Sequence, residues 1–140
     1  SHSHEYMDQI SAMSQEDPRI VMTGFVQGEI LEELYSNSYI FVLPSDVEGM
    51  AVSLLEAMSY GNCCLVSDID ENMEVVHDKA CSFRKGNVDY LREKLEELLN
   101  SPEQVEKYRK GSAEYICGRF SWDDVVDRTF QLYMRTQKGK

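Results

Sequence analysis

The sequence is poor in the residues that interrupt regular structure. Its 8 glycines and 3 prolines among 140 residues argue against a collagenous repeat, a low-complexity linker or a disordered chain. Positive charge is scarce too: 14 lysines and arginines stand against 25 aspartates and glutamates, a formal net charge of −11. No stretch gathers the bases into a stripe that could follow a phosphate backbone, so no nucleic-acid partner is expected. The longest apolar runs, Tyr39–Leu43 and Cys63–Val66, fall far short of the roughly 20 residues that cross a bilayer. No apolar signal segment opens the chain, where Ser1-His2-Ser3-His4-Glu5 reads as a loop or an added tag, and a cytoplasmic protein is expected. Four cysteines lack metal or disulfide spacing, since Cys63 and Cys64 are adjacent and Cys81 and Cys117 stand alone. They read as reduced, buried small hydrophobes.

What is present is enough apolar material, 42% of residues, for a single domain spanning residues 1–140. Short apolar runs without polar alternation at Arg19–Thr23, Tyr39–Leu43, Cys63–Ser67 and Ala80–Phe83 predict four parallel strands covered on both faces. Helical spacing lies between them. Tyr6, Ile10 and Met13 mark one helix over Glu5–Met13; Ile30, Leu31, Leu34 and Tyr35 a second over Gly28–Asn37; Val52, Leu54, Leu55 and Met58 a third over Met50–Tyr60. The alternation implies βαβ units and an α/β, Rossmann-like sheet followed by a helical C-terminal part. Gly61-Asn62 supplies the left-handed cap of the third helix. Asn87 caps a helix carrying Leu91, Leu95, Leu98 and Leu99, and Ser101-Pro102-Glu103-Gln104 combines a capping serine, a first-turn proline and a capping-box glutamine. Ser121 opens a last helix to Thr136, with Phe120 and Trp122 as its core anchors and Val125, Val126, Phe130, Tyr133 and Met134 available for burial.

In open parallel sheets ligands bind beyond the carboxyl ends of the strands, which directs the search to four loops. The loop after the second strand stands out. It runs Pro44-Ser45-Asp46-Val47-Glu48-Gly49-Met50-Ala51 into a helix, and Glu48 and Glu56 lie eight residues apart across that junction. The second is about 12 Å farther along the axis. Gly49 permits close backbone approach, and the amides of Gly49, Met50 and Ala51 at a helix N-terminus form a neutral cradle for a diphosphate that overall acidity does not forbid. A carboxylate only accepts hydrogen bonds, so Glu48 and Glu56 suit the hydroxyls of a sugar and a ribose at the two ends of such a group. Taken alone, Glu56 reads equally as a solvated acid on the polar side of its helix, beside Ser53, Ser59 and Tyr60. Glu48 alone reads as loop solvation or an acid at a helix dipole.

The segments Arg19–Val26, Pro44–Met58, Tyr60–Asp68 and Phe120-Ser121-Trp122 together resemble the C-terminal, donor-binding half of a retaining glycosyltransferase of the GT-B fold, group 1 or family 4 type. The resemblance spans roughly Glu5 to Met134, and Glu48 and Glu56 fall on the family's E-x7-E motif, with Pro-Ser ahead of it and Glu-Ala-Met closing it. It implies that Glu48 is the catalytic-site acid touching the transferred sugar, that the Gly49, Met50 and Ala51 amides meet the distal phosphate and that Glu56 meets the ribose. Gly24, Phe25 and Val26 would border the base. It also implies a nucleotide-diphosphate sugar donor, retention of configuration and no metal or other cofactor. Met50-Ala51 stands where Phe-Gly is frequent in the family.

The family begins this domain with two further strands, the first bearing an Arg and a Lys that neutralise the diphosphate, and precedes it with an acceptor-binding domain. Nothing before Arg19 can supply them, so the chain is expected to be an incomplete GT-B C-terminal domain, inactive by itself, with Arg19–Thr23 and Tyr39–Leu43 brought to direct pairing. The last helix would then leave an apolar stripe to pair with a second copy. Two other readings stay open: a non-catalytic nucleotide-binding module, and a receiver-like signalling domain using Asp46, Asp68 and Asp70 around magnesium with Lys85 nearby. The latter lacks an acidic pair after its first strand, where Thr23-Gly24-Phe25 stands. His77, beside Asp78 and Lys79, reads as a surface residue.

Overall fold

The computed structural model describes residues 2–137, and the chain forms two compact units, Ser1–Glu33 and Leu34–Lys140. The first unit holds α1 (His2–Gln15), an irregular stretch over 16–28, and the start of α2 (Glu29–Asn37). His2 to Glu5, expected as loop or tag, are helical.

Arg19–Thr23 is not a strand. Local hydrogen bonds capture its start: the Arg19 amide donates to Asp17 Oδ1 at 3.0 Å, the Ile20 amide to the Asp17 carbonyl at 3.0 Å, and the Arg19 guanidinium grips the same carboxylate. Side-chain bonds of this kind compete with a sheet ladder. The carboxyl of Asp17 is lowered by those two bonds to Arg19. With no partner strand among the described residues, Ile20, Val21 and Met22 remain exposed, and the expected pairing with the next strand does not form.

The second unit is built on a parallel sheet of three strands rather than four: β1 (Ile40–Leu43), β2 (Cys63–Ser67) and β3 (Cys81–Phe83), in the order β1-β2-β3. Ile40 lies opposite Cys63 and Leu65 opposite Cys81. β2 is central, and all five of its residues are buried, which is why its sequence shows no polar alternation. α3 (Val52–Ser59) connects β1 to β2 and buries Leu54, Ala57 and Met58. Gly61, at φ +73°, closes it as expected, and the Asn62 amide returns to the Ala57 carbonyl.

α4 (Asp70–Val76) connects β2 to β3 and was not expected from a segment that reads as turn formers. Its acids Asp70 and Glu71 sit in the first turn, where the helix dipole favours them, and Asn72, Val75 and Val76 are buried. α5 (Val88–Asn100) and α6 (Pro102–Arg109) follow, and Leu98 and Val105 join Cys63, Leu65, Cys81 and Phe83 in one core cluster. The Asn87 cap is formed, its side chain accepting from the Tyr90 amide at 2.9 Å. Ser101 caps α6 in position only; its side chain makes no cap bond, so the expected capping box does not close. α7 (Ser112–Arg119) is anchored by two bonds, Ser112 Oγ to the Met58 carbonyl at 3.2 Å and Tyr115 Oη to the Val75 carbonyl at 3.2 Å.

α8 (Trp122–Gln137) ends the described chain. Trp122, expected as a core anchor, is 83% exposed, and Val125, Val126, Phe130 and Tyr133 are at least half exposed. Cys117 is exposed as well, against the expectation of four buried thiols, whereas Cys63, Cys64 and Cys81 are buried and all four are free. No helix among the described residues is long and apolar enough to cross a membrane.

Candidate functional site

Parallel pairing places the ends of β1 and β2 side by side; the loop leaving β1 carries Glu48, and the helix that follows, α3, carries Glu56. Helix α3 begins at Val52 with Ala51 as its N-cap, so Gly49 and Met50 belong to the approach loop and not to the first helical turn. Gly49 has nothing within 4 Å of where a Cβ would stand, and Met50 is exposed. Glu48, on the same loop, is half-buried; its Oε1 accepts the Ser45 hydroxyl at 2.5 Å, in the range of a charge-assisted O–H···O⁻ bond. It is a held side chain, not a solvated one.

Glu56 sits one helix turn past Val52, exposed to solvent but partnered on its protein side. Tyr35, at the C-terminal end of α2, donates its hydroxyl to Glu56 Oε2 at 3.1 Å and lies 3.4 Å from the Ser53 carbonyl. The tyrosine is itself fixed. It is 8% exposed, its ring stacks on Tyr60 at 5.4 Å and tilts against Phe41 at 6.0 Å, and its carbonyl accepts from Asn62 Nδ2 at 2.9 Å. Burial, followed by the bond to the Glu56 carboxylate, pushes its phenol up to about 12. The phenol therefore stays protonated and able to donate across the physiological range.

Tyr35 was legible in the sequence only as one apolar position of a helix. Its hydroxyl gives it a second role that periodicity does not report. Ser67 and Asn72 were missed for a similar reason: a serine ending an apolar strand and an asparagine in a polar stretch carry no spacing signal, yet both are buried, at 1% and 0% exposure.

Gly24, Phe25 and Val26, expected to border a base, lie in the first unit. Gly24 adopts φ +64°, Phe25 is 89% exposed and Val26 is half-buried. A depression of about 240 Å³ lined by Arg84, Asn87, Asp89, Tyr90 and Glu93 lies at the entry to α5 and includes neither Glu48 nor Glu56. The receiver-like reading loses its basis, because no three acidic, histidine or cysteine residues converge among the described residues. Asp68 instead accepts the Lys85 backbone amide at 2.7 Å, bracing the loop after β2 against the loop after β3.

With this geometry in view, the likeness to known proteins is specific. Residues 5–115 match the family model described as glycosyl transferases group 1. An uncharacterized glycosyltransferase of Methanocaldococcus jannaschii is 26% identical over 117 residues, 82% of this chain and 30% of its own length. The O-antigen chain mannosyltransferase B of Escherichia coli is 31% identical over 111 residues, 79% of this chain and 29% of its own. Among solved structures, sucrose-phosphate synthase of Thermosynechococcus elongatus superposes with a TM-score of 0.85 at 21% identity, over 95% of this chain and 35% of its own. The chain thus spans about a third of the length of these proteins, and its fold is shared with GT-B glycosyltransferases. Matched over most of its own length, it belongs to the group 1 glycosyl transferase family.

Proposed function

We propose that this chain forms the donor-binding part of a glycosyltransferase, in its C-terminal half, that takes a hexose from a nucleotide-diphosphate sugar and transfers it with retention of configuration. The observation that carries the reading is that both acids of the E-x7-E pair are held by dedicated hydroxyl donors, Glu48 by Ser45 and Glu56 by Tyr35. A carboxylate held by such a bond presents its remaining acceptor positions in a fixed direction.

In this reading Glu48 meets the transferred sugar, the Gly49, Met50 and Ala51 amides face the distal phosphate and Glu56 accepts from the ribose. The glycosidic carbon–oxygen bond breaks with its electron pair leaving on the diphosphate, and the loop amides lower the cost of that charge where no cation of this chain is required. The hexose is proposed from relatives named as mannosyltransferases. An acceptor-binding domain and the cations that oppose the diphosphate come from outside these residues, so the 140-residue chain alone is inactive, binding nucleotide at roughly millimolar Kd. The enzyme works without a metal, in the cytoplasm.

The test is an NMR titration of the 140-residue chain with UDP, ADP and GDP and with UDP-glucose, ADP-glucose and GDP-mannose. Expected are shifts at residues 48–56, loss of nucleoside diphosphate binding in Glu56→Gln, and loss of only the extra affinity of the sugar conjugate in Glu48→Gln, each by about 1.5–3 kcal/mol. A chain whose 48–56 signals ignore every one of these ligands overturns the reading. Sugar transfer by the isolated chain would overturn its incompleteness.

A further inference from the structure

We propose that Ser67, acting through Ser45 and supported by Asn72, is a positioning residue that sets the orientation of the Glu48 carboxylate. The proposal rests on the donor-site reading for what Glu48 touches, and on geometry alone for what holds it.

Ser67 ends β2, one step past the Leu43–Val66 pairing, which brings it beside the loop leaving β1. Its hydroxyl donates to the Ser45 carbonyl at 2.6 Å. A hydroxyl has a single proton, and here that proton has one destination, because the other neighbour of Ser67 Oγ is a donor: Asn72 Nδ2 at 3.2 Å. The same Nδ2 reaches the Ser67 carbonyl at 3.2 Å. Turning the Asn72 amide over would set its oxygen against that carbonyl, two acceptors face to face, so the amide orientation is fixed by the backbone of Ser67.

Asn72 is fully buried, and its Oδ1 has no hydrogen-bond partner. Leaving a buried acceptor unmade is costly, which makes a leucine-sized apolar residue the better choice for packing alone. What the amide provides is direction. It delivers donors to both Ser67 oxygens, Ser67 passes its proton to the Ser45 carbonyl, and Ser45, pinned by its backbone, gives its own hydroxyl proton to Glu48 Oε1 at 2.5 Å. The loop from Pro44 to Ala51 has no regular structure, and this chain of bonds ties the central strand to an acid in the loop that leaves its neighbour β1. The consequence is selective: it governs the sugar end of a donor and leaves the ribose end, held through Tyr35, alone.

The experiment uses the 140-residue chain with the same three nucleotide sugars and their nucleoside diphosphates as probes, plus amide hydrogen exchange without ligand. Ser45→Ala and Ser67→Ala are each expected to weaken the nucleotide sugar about 5–10-fold, the size of one ordinary lost hydrogen bond, while the nucleoside diphosphate changes less than about twofold. Ser45→Thr, which keeps the hydroxyl, restores the sugar increment. Exchange at residues 46–50 rises at least tenfold in Ser67→Ala with β2 unchanged. Equal loss of both ligands, or no loss of either, overturns the proposal, as does unaltered exchange at 46–50 in Ser67→Ala. If wild type binds no sugar conjugate more tightly than its diphosphate and Glu48→Gln is silent, the donor reading falls, and the exchange result alone then decides the positioning role.

Discussion

The carboxyl edge of the sheet and the last helix use similar amounts of apolar sequence to opposite ends. In β2 every side chain is buried, and the polar residues at its margin, Asn62, Ser67 and Asn72, are buried with it and mostly spoken for by hydrogen bonds. In α8 the residues at helical spacing, Val125, Val126 and Phe130, stay in solvent. β2 is apolar on both faces, whereas α8 carries its apolar residues on one stripe. Closure around β2 excludes water, and hydrogen bonds among the polar residues there are stronger for it.

Alkaline pH should separate the two regions most strongly. Burial first, then neighbouring thiols, pushes Cys63 up to about 11 and Cys64 to about 12, and Tyr35 stands at about 12. The folded state therefore holds these protons more tightly than the unfolded chain, whose groups titrate near 9 and 10. Their contribution is full below pH 9 and is lost as pH climbs through 9 to 12, at about 1.4 kcal/mol per pH unit for each group in its window. Urea midpoints followed from pH 8 to 11 should fall steeply, and Cys64→Ala should flatten the fall. A midpoint constant to pH 11 would mean that the β2 thiols are not buried.

Truncation of the core comes next in size. Leu65→Ala, at a fully buried position, should cost about 2–5 kcal/mol by urea denaturation, whereas Phe130→Ala on α8 should stay within about 0.5 kcal/mol. Equal costs would erase the distinction between the regions. At the level of caps, Asn87→Ala should lose about 1 kcal/mol because its side chain accepts the Tyr90 amide, and Ser101→Ala much less because its side chain makes no cap bond.

The smallest effect on folding should come from Phe130→Asp, but that substitution has a second readout. If the stripe on α8 pairs with another copy, light scattering of the parent chain should show association that strengthens as salt screens the net charge of −11, and Phe130→Asp should abolish it. A monomer at every concentration and salt level would leave α8 without a self-partner.

Much of this was legible beforehand. Cys63–Ser67 was predicted to the residue, β1 and β3 to within one, and the Asn87 and Gly61 caps formed as read. These are local signals: uninterrupted apolar runs and residue types suited to one backbone conformation. The strand at Arg19–Thr23 failed because a strand needs a neighbour, and Asp17 offered its backbone a closer set of bonds. The helix at Asp70–Val76 was hidden because its polar first turn looks like a turn, and its apolar residues are too few to show a period. The acids Glu48 and Glu56 were singled out by spacing and family resemblance, while Tyr35, Ser67 and Asn72, which hold them directly or through Ser45, were not.

The sequence by itself determined the apolar runs that become β1, β2 and β3, the caps at Gly61 and Asn87, and that two carboxylates flank the β1–α3 junction, because each of these is written in residue types a few positions apart. The tertiary structure alone decided which polar side chains became partners. Tyr35 and Glu56 are 21 positions apart, and Ser45 and Ser67 are 22, so their hydrogen bonds exist only once the sheet and its helices have brought distant backbone together and excluded the water that would otherwise compete for them.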